Sequence, residues 1–320
     1  MKRRGFIASA GAAGASAIFG PVFAQATTLR VGDQKGGVKA LLEAAGGLKD
    51  LPYRVEWSEF PAAAPLLEAL NAGAIDSGYC GDAPFTFAAA AGVPVKAISA
   101  VRSQQGGLAI LVPKDSPVQT LEQLKGKKIG TGKGSIGHQL VLAALEKAKL
   151  TKDAVQLVFL PPADAKAAFV GGTIDAWSTW EPYVAQEEIY ANARRVITGV
   201  GLTPGLGFQV ARHDAISTRR AELQDFVARH AAARVWALAN VDTYAGVWSQ
   251  LMGIPKPVPQ RWFERQQVRP VAIDATVIAD EQFSIDLYAR NGLIPKSFDA
   301  RSVLDGQFNN AVTRVAKLTA

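Results

Sequence analysis

The chain has 320 residues, 48% of them hydrophobic and 20% charged, with a formal net charge of +7 at pH 7. Those proportions belong to an ordinary globular chain, and a charge this modest, with no dense Lys/Arg stripe, excludes a nucleic-acid footprint. A single cysteine, Cys80, excludes an internal disulfide, and three histidines (His138, His213, His230) show no metal-ligand spacing.

The first element in chain order is a targeting segment. Lys2-Arg3-Arg4 precedes a short stretch of small apolar residues from Ala8 to Phe19, and Val22-Phe23-Ala24-Gln25-Ala26 offers small residues for cleavage after Ala24 or Ala26. This predicts an export signal over residues 1–26, of twin-arginine type, and a periplasmic mature protein. Lys2, Arg3 and Arg4 carry three of the positive charges and the segment has no acid, so the mature chain holds +4. No later stretch reaches the eighteen or so apolar residues of a membrane span.

Beyond the signal, strand and helix patterns alternate, which predicts an α/β fold. Strands are expected at 28–32, 53–57, 75–80 and 95–101, with helices at 38–48, 63–71 and 85–91. Gly73 and Gly92 follow the last two helices as stop signals. The apolar run 108–112 is expected to cross between lobes. The rhythm restarts with a strand at 128–130, a helix over 135–149 and a strand over 155–160. Beyond about 215 the amphipathic period of 219–252, 275–291 and 301–317 predicts helices.

An internal echo links residues 68–76 to residues 167–175 at an offset of 99, and the same offset aligns Asp82 with Glu181. In both places a helix stops at glycine, a strand starts with Ile-Asp, and an acid followed nearby by proline opens the next element. Such punctuation is common in α/β units, but it also fits two similarly built lobes facing each other, hinged near 108–113 and 207–212.

Four segments carry candidate chemistry. Gly81-Asp82-Ala83-Pro84 opens a helix, with Gly81 or Asp82 as cap and free N–H groups ahead of it. The run from Gly130 to Gln139 carries a strand through a Gly-rich turn into a helix, a cradle of N–H groups for an oxyanion around Ser135, Ile136, Gly137 and His138. It lacks the order of a phosphate-binding P-loop. Its fit to a dinucleotide fingerprint over Gly132–Gly137 is superficial, since export disfavours such an enzyme. Trp177-Ser178-Thr179-Trp180-Glu181-Pro182-Tyr183 places aromatics and an acid at a strand-to-helix junction: Trp180 can close over an organic tail, and Glu181 can bond a polar group or brace the cleft. Gln34, after the first strand, can donate to an oxyanion, and Lys35 either steers anions or is simply solvated.

At these residues the chain resembles the substrate-binding proteins of bacterial ABC importers for aliphatic sulfonates, within the wider nitrate/sulfonate/taurine-binding group. The matching stretches are Asp33-Gln34-Lys35, Glu59-Phe60-Pro61 with Leu66 to Leu70, Gly81 to Pro84, Lys133 to His138, Pro162 to Phe169, and Asp175-Ala176-Trp177 with Trp180 to Tyr183. They run in order over nearly the whole mature chain. The resemblance implies a type II-like periplasmic binding fold of two α/β lobes, residues 27–112 with 208–320 and residues 113–207. It implies a sulfonate in the cleft, held by Gln34, the backbone on the Asp82 side, the Ser135–His138 helix start and Trp180; Gly81 and Glu181 join them as candidates from their own positions. It also implies capture by closure, delivery to an inner-membrane ABC permease, a monomer, no cofactor and no chemistry on the ligand.

Three residues, at two places, depart from the family pattern. Ile136 and Gly137 stand where a Ser-rich turn is usual, and Glu181 stands where the shorter Asp is usual. Taurine, sulfate esters, nitrate and a pyrimidine precursor stay open as alternative ligands. So does an enzyme on the same fold with Cys80 as nucleophile and His138 as a spatial neighbour.

Overall fold

The computed structural model describes residues 27–317, so the expected export signal lies outside the described residues. The first part of the chain alternates β1 (Thr28–Gln34), α1 (Val38–Ala44), β2 (Arg54–Phe60), α2 (Ala63–Asn71), β3 (Ser77–Gly81), α3 (Asp82–Ala90) and β4 (Val95–Arg102). Then come β5 (Leu108–Val112), β6 (Lys128–Thr131), α4 (Ile136–Lys147), β7 (Gln156–Phe159), α5 (Pro162–Val170), β8 (Ala176–Trp180), α6 (Tyr183–Tyr190) and β9 (Arg194–Thr198). The last part holds β10 (Leu206–Arg212), α7 (His213–Thr218), α8 (Arg220–Ala239), α9 (Val241–Met252), α10 (Pro257–Gln266), β11 (Arg269–Val271), α11 (Ala275–Arg290) and α12 (Asn309–Lys317).

The strands form two sheets. One has the order β11-β4-β10-β3-β1-β2, the other β7-β6-β8-β5-β9. β2-β1-β3 and β7-β6-β8 are the parallel cores, and in each sheet the next strand (β10 or β5) runs antiparallel; β5–β9 alone make the smaller sheet, and β10 joins the larger sheet after the chain returns. Both sheets are covered on both faces. Leu29, Val31, Leu41 and Phe226 share one cluster on the larger sheet, and Leu66, Leu70, Phe85 and Ile285 share another. Leu108, Ile129 and Leu140 pack on one side of the smaller sheet, Phe169 and Trp177 on the other. Each such side chain contributes ~1.5–3 kcal/mol by leaving water.

The sequence echo has a physical basis. Asp76 donates its N–H to the Arg30 carbonyl at 2.8 Å, and its carboxylate accepts the Arg30 N–H at 2.9 Å. Asp175 does the same to Lys128 at 2.9 and 2.8 Å. Ile75 and Ile174 each press on a glycine of the neighbouring strand, Gly32 and Gly130, where an added Cβ would come within 2.4 Å of the isoleucine methyl. The echoed Ile-Asp therefore starts the third strand of each parallel core against its first.

The crossings lie slightly outside the expected positions. Leu108–Val112 is fully buried and pairs with β8 and β9, so it is an inner strand of the smaller sheet rather than a linker. Residues 206–212 likewise form β10 inside the larger sheet. The chain passes between the sheets over 103–107 and returns over 199–205. These segments hold each other: the Ser103 N–H donates to the Gly205 carbonyl at 2.9 Å, and the Thr203 hydroxyl to Gln105 Oε1 at 3.0 Å.

Other boundaries differ for local reasons. The first helix stops at Ala44 because Gly46 turns left-handed (φ +70°). The stretch 219–252 breaks at Asn240, whose side chain donates to the Trp236 carbonyl at 2.8 Å. Only 309–317 of the last amphipathic stretch is α-helix, since Leu304 bridges to Ala97 of β4.

Candidate functional site

Inner parallel strands of both sheets end in turns that start helices: β1 into α1, β3 into α3, β6 into α4 and β8 into α6. Helix starts present unpaired N–H groups and the positive end of the helix dipole. The two sheets meet here. An added Cβ on Gly81 would lie 3.3 Å from the Ile136 side chain, and one on Gly134 would lie 3.2 Å from Phe87.

The α4 start has two open donors. Ser135 is the cap: its hydroxyl donates to the Gly132 carbonyl at 2.7 Å and accepts the His138 N–H at 3.3 Å. The Ser135 N–H goes to Gly132 and the Gln139 N–H to Ser135. The N–H groups of Ile136 and Gly137 have no acceptor among the described residues. Glycine at 137 is a steric requirement, because a Cβ there would come within 2.6 Å of both the Ser178 carbonyl and Thr131 Oγ1. The Ser178 hydroxyl donates to the Gly137 carbonyl at 2.7 Å, pinning the helix to β8.

His138 is buried beneath this turn. Its Nδ1 accepts the Gly134 N–H at 3.3 Å, which leaves the proton on Nε2, where no partner is present among the described residues. Burial, with Lys133 nearby, pushes its pKa down to about 4, so the ring is neutral at neutral pH. It packs edge-on to Phe159 at 5.0 Å. Trp180, half-buried at the end of β8, packs on the same cluster as Ile136, which brings indole and open amides to one side of the smaller sheet.

The acids face inward. Asp82 is buried: its Oδ1 accepts the Ala83 N–H at 2.8 Å, and its Oδ2 accepts from Ser284 at 3.3 Å and Gln139 at 3.4 Å. Burial raises its pKa to about 6. Gly81 is the cap residue of α3, so backbone rather than carboxylate faces the gap. Glu181 accepts the Ala185 N–H at 2.8 Å on Oε2 and Arg265 Nη1 at 3.0 Å on Oε1, and burial raises it to about 7. Both its oxygens are engaged, so of its two expected roles the geometry fits the brace. Asp33 accepts the Val38 and Lys39 N–H groups at 2.9 and 2.7 Å, capping α1. Gln34 is half-buried at the end of β1 with no side-chain bond to a described residue, and Lys35 is exposed.

Cys80 lies at 0% exposure in the core beside Phe85 and Phe208, and burial pushes its thiol up, away from the thiolate a nucleophile needs. Sequence reasoning misses Arg265, Gln139 and Ser284. Each acts on an acid far away in sequence, and nothing in local spacing points to them.

Two α/β sheets joined by two crossings, with helix starts meeting between them, define the architecture of the periplasmic binding proteins. The chain belongs to the NMT1/THI5-like family, whose model matches residues 55–229. It is 34% identical over 279 residues to the aliphatic sulfonates-binding protein of Escherichia coli strain K12, covering 85% of this chain and 87% of that one. Its structure is similar to the alkanesulfonate-binding protein SsuA from Xanthomonas axonopodis pv. citri bound to MOPS, with TM-score 0.82, 31% identity, and 88% and 99% of the two chains covered. It is similar also to the periplasmic aliphatic sulphonate binding protein SsuA from Escherichia coli, with TM-score 0.80, 33% identity, and 86% and 91% covered.

Proposed function

We propose that the chain is the periplasmic solute-binding component of an ABC importer and captures an organosulfonate anion between the two sheets. The observation that carries this reading is the pair of open amides at Ile136 and Gly137, set against Gly81 of the other sheet, with the Ile136 and Trp180 side chains packed on one cluster. A sulfonate oxygen is a non-titrating acceptor for such donors, and a helix start stabilises the charge without a counter-cation. Relatives that bind sulfonates over most of this chain's length support the same ligand class. Gln34, the Asp82 N–H, Ser135 and Trp180 complete the site in this reading, while His138 and Glu181 shape it from behind. The sheets act as the two lobes and the crossings 103–107 and 199–205 as the hinge. The ligand favours the closed form because it bonds both lobes. The signal over 1–26 exports the chain by the twin-arginine route, and the closed monomer hands its ligand to a permease in the inner membrane.

The engaged acids separate this ligand from taurine. Asp33, Asp82 and Glu181 each hold a helix start of their own, so an ammonium group would find no free carboxylate among them. A thermal-shift panel of the ligand-stripped mature chain tests the reading with alkanesulfonates of rising length, taurine, sulfate, nitrate and a pyrimidine precursor. A ligand at 100 times its Kd stabilises by about 2.7 kcal/mol. Alkanesulfonates are expected to raise the melting temperature most. A shift with nitrate or the pyrimidine alone would assign another ligand to the same fold.

A further inference from the structure

Among the described residues, no acid is bound to Arg234. Arg234, on α8, donates from Nε to the buried His230 Nε2 at 3.1 Å, and its guanidinium carbon sits 5.3 Å from the centre of the Tyr79 ring. His230 meets the same ring edge-on at 5.6 Å. Burial keeps His230 neutral, so its Nε2 remains an acceptor and fixes the guanidinium plane. The two terminal nitrogens of Arg234 donate to no described residue. Its charge reaches Asp33, but both oxygens of that carboxylate are bonded to the start of α1.

Geometry carries this group to the meeting of the sheets. Tyr79 lies on β3, two residues before Gly81, and its hydroxyl rests against Gly207, where an added Cβ would come within 2.1 Å. Gly207 pairs with Gly81, and Gly81 touches Ile136 at the open end of α4. The Tyr79 hydroxyl has no partner among the described residues, and burial keeps it protonated, hence a donor. Only glycine at 207 leaves room for it.

We infer that Arg234, with the Tyr79 hydroxyl, forms the larger sheet's half of the anion-binding site: its two free Nη groups bond the sulfonate oxygens that the Ile136 and Gly137 amides approach from the smaller sheet. The guanidinium fork matches two oxygens of one tetrahedral head group, and the aromatic and imidazole packing holds it ready before ligand arrives. The inference rests on the sulfonate reading and adds the cation that the sequence pattern does not reveal.

Isothermal titration with butanesulfonate and with inorganic sulfate tests it, using wild type, Arg234→Gln, Arg234→Lys and Tyr79→Phe, with the ligand-free melting temperature of each. Arg234→Gln is expected to weaken both anions at least about tenfold, since a hydrogen bond to a charged group is lost. Lysine, which keeps the charge but loses the fork, is expected to restore part of the affinity. Tyr79→Phe should weaken both anions severalfold with little change in ligand-free melting. Wild-type affinity in Arg234→Gln or Arg234→Lys would overturn the inference and leave the sulfonate reading standing. Should the glutamine variant fail to fold, the lysine and phenylalanine variants decide. Wild type that binds neither anion would remove the sulfonate reading, and the inference with it.

Discussion

Asp82 and Glu281 are two buried carboxyls close enough for the charge of one to act on the other, and Thr86 links Glu281 to the Asp82 main chain. The Thr86 hydroxyl donates to Glu281 Oε1 at 2.6 Å and also to the Asp82 carbonyl at 3.0 Å, while Glu281 Oε2 has no partner among the described residues. Burial, and then Asp82, hold Glu281 well above its ordinary pKa. The native state therefore keeps protons that the unfolded chain gives up near the ordinary carboxyl values, so this pair's contribution is full below about pH 4.5 and is lost as pH rises. Glu281→Gln keeps the acceptor for Thr86 and removes the charge. It is expected to stabilise the chain by about 1–3 kcal/mol at pH 8 and to make little difference at pH 4.5, read by urea unfolding at both values. An unchanged pH slope would contradict this. His138 and His230, held down by burial, act in the opposite sense, so the variant must be compared with wild type at each pH. At the same scale, Trp180→Ala is expected to weaken hexanesulfonate about tenfold and sulfate much less, because in the proposed site only the tail meets the indole. Equal losses in titration would contradict a tail-stacking role. The residue types at these positions were legible in the sequence. Their orientations were not, since what turns Asp82 inward is Gln139 and Ser284, and what claims Glu181 is Arg265, 84 residues away.

In the proposed site, the start of α4 is the element on which binding depends most. Gly137→Ala would force its Cβ against Ser178 and Thr131, displacing the helix start by tenths of an ångström. The expected cost is about 1–3 kcal/mol of stability, with affinity lowered by a similar factor for every anion in the panel; selective loss would place the head group elsewhere. Across the gap, α10 reaches α6: Arg265 bonds both Glu181 and Glu188, and Glu188 also pairs with Arg195 at 2.7 Å. Removing Arg265 leaves Glu181, whose side chain is fully buried, without its counter-charge. Arg265→Met is expected to cost about 2–4 kcal/mol at pH 8 and less at pH 5, where Glu181, raised to about 7, takes a proton. Equal losses at both pH values, by urea unfolding, would refute the brace. The helix start was legible as a Gly-rich turn, but α10 and β11 were not: Pro257 and Pro259 interrupt the apolar period, and three residues pairing at a sheet edge leave no pattern of their own.

At the scale of the whole chain, β5–β9 form one sheet and the strands before and after them form the other, so the chain crosses only twice, over short segments. The sequence pattern carried the alternation, the echo and the order of the matched stretches. It misjudged the crossings because a fully buried inner strand and an apolar linker look alike in one dimension, whereas the true crossings, 103–107 and 199–205, are glycine-rich turns. The two units touch through α3, α11 and α4 on one side and α10 and α6 on the other, with Arg290 bonding both oxygens of Glu146 at 2.9 and 2.8 Å. A ligand that bonds both helix starts adds to these contacts only when the gap is closed, which is the differential affinity that closure requires. The most direct measurement is a crystal structure of the mature chain grown with butanesulfonate. The expected result is a sulfonate within hydrogen-bond distance of the Ile136 and Gly137 amides, its tail against Trp180. A sulfonate bound elsewhere, or a gap left empty at saturating concentration, would contradict the account.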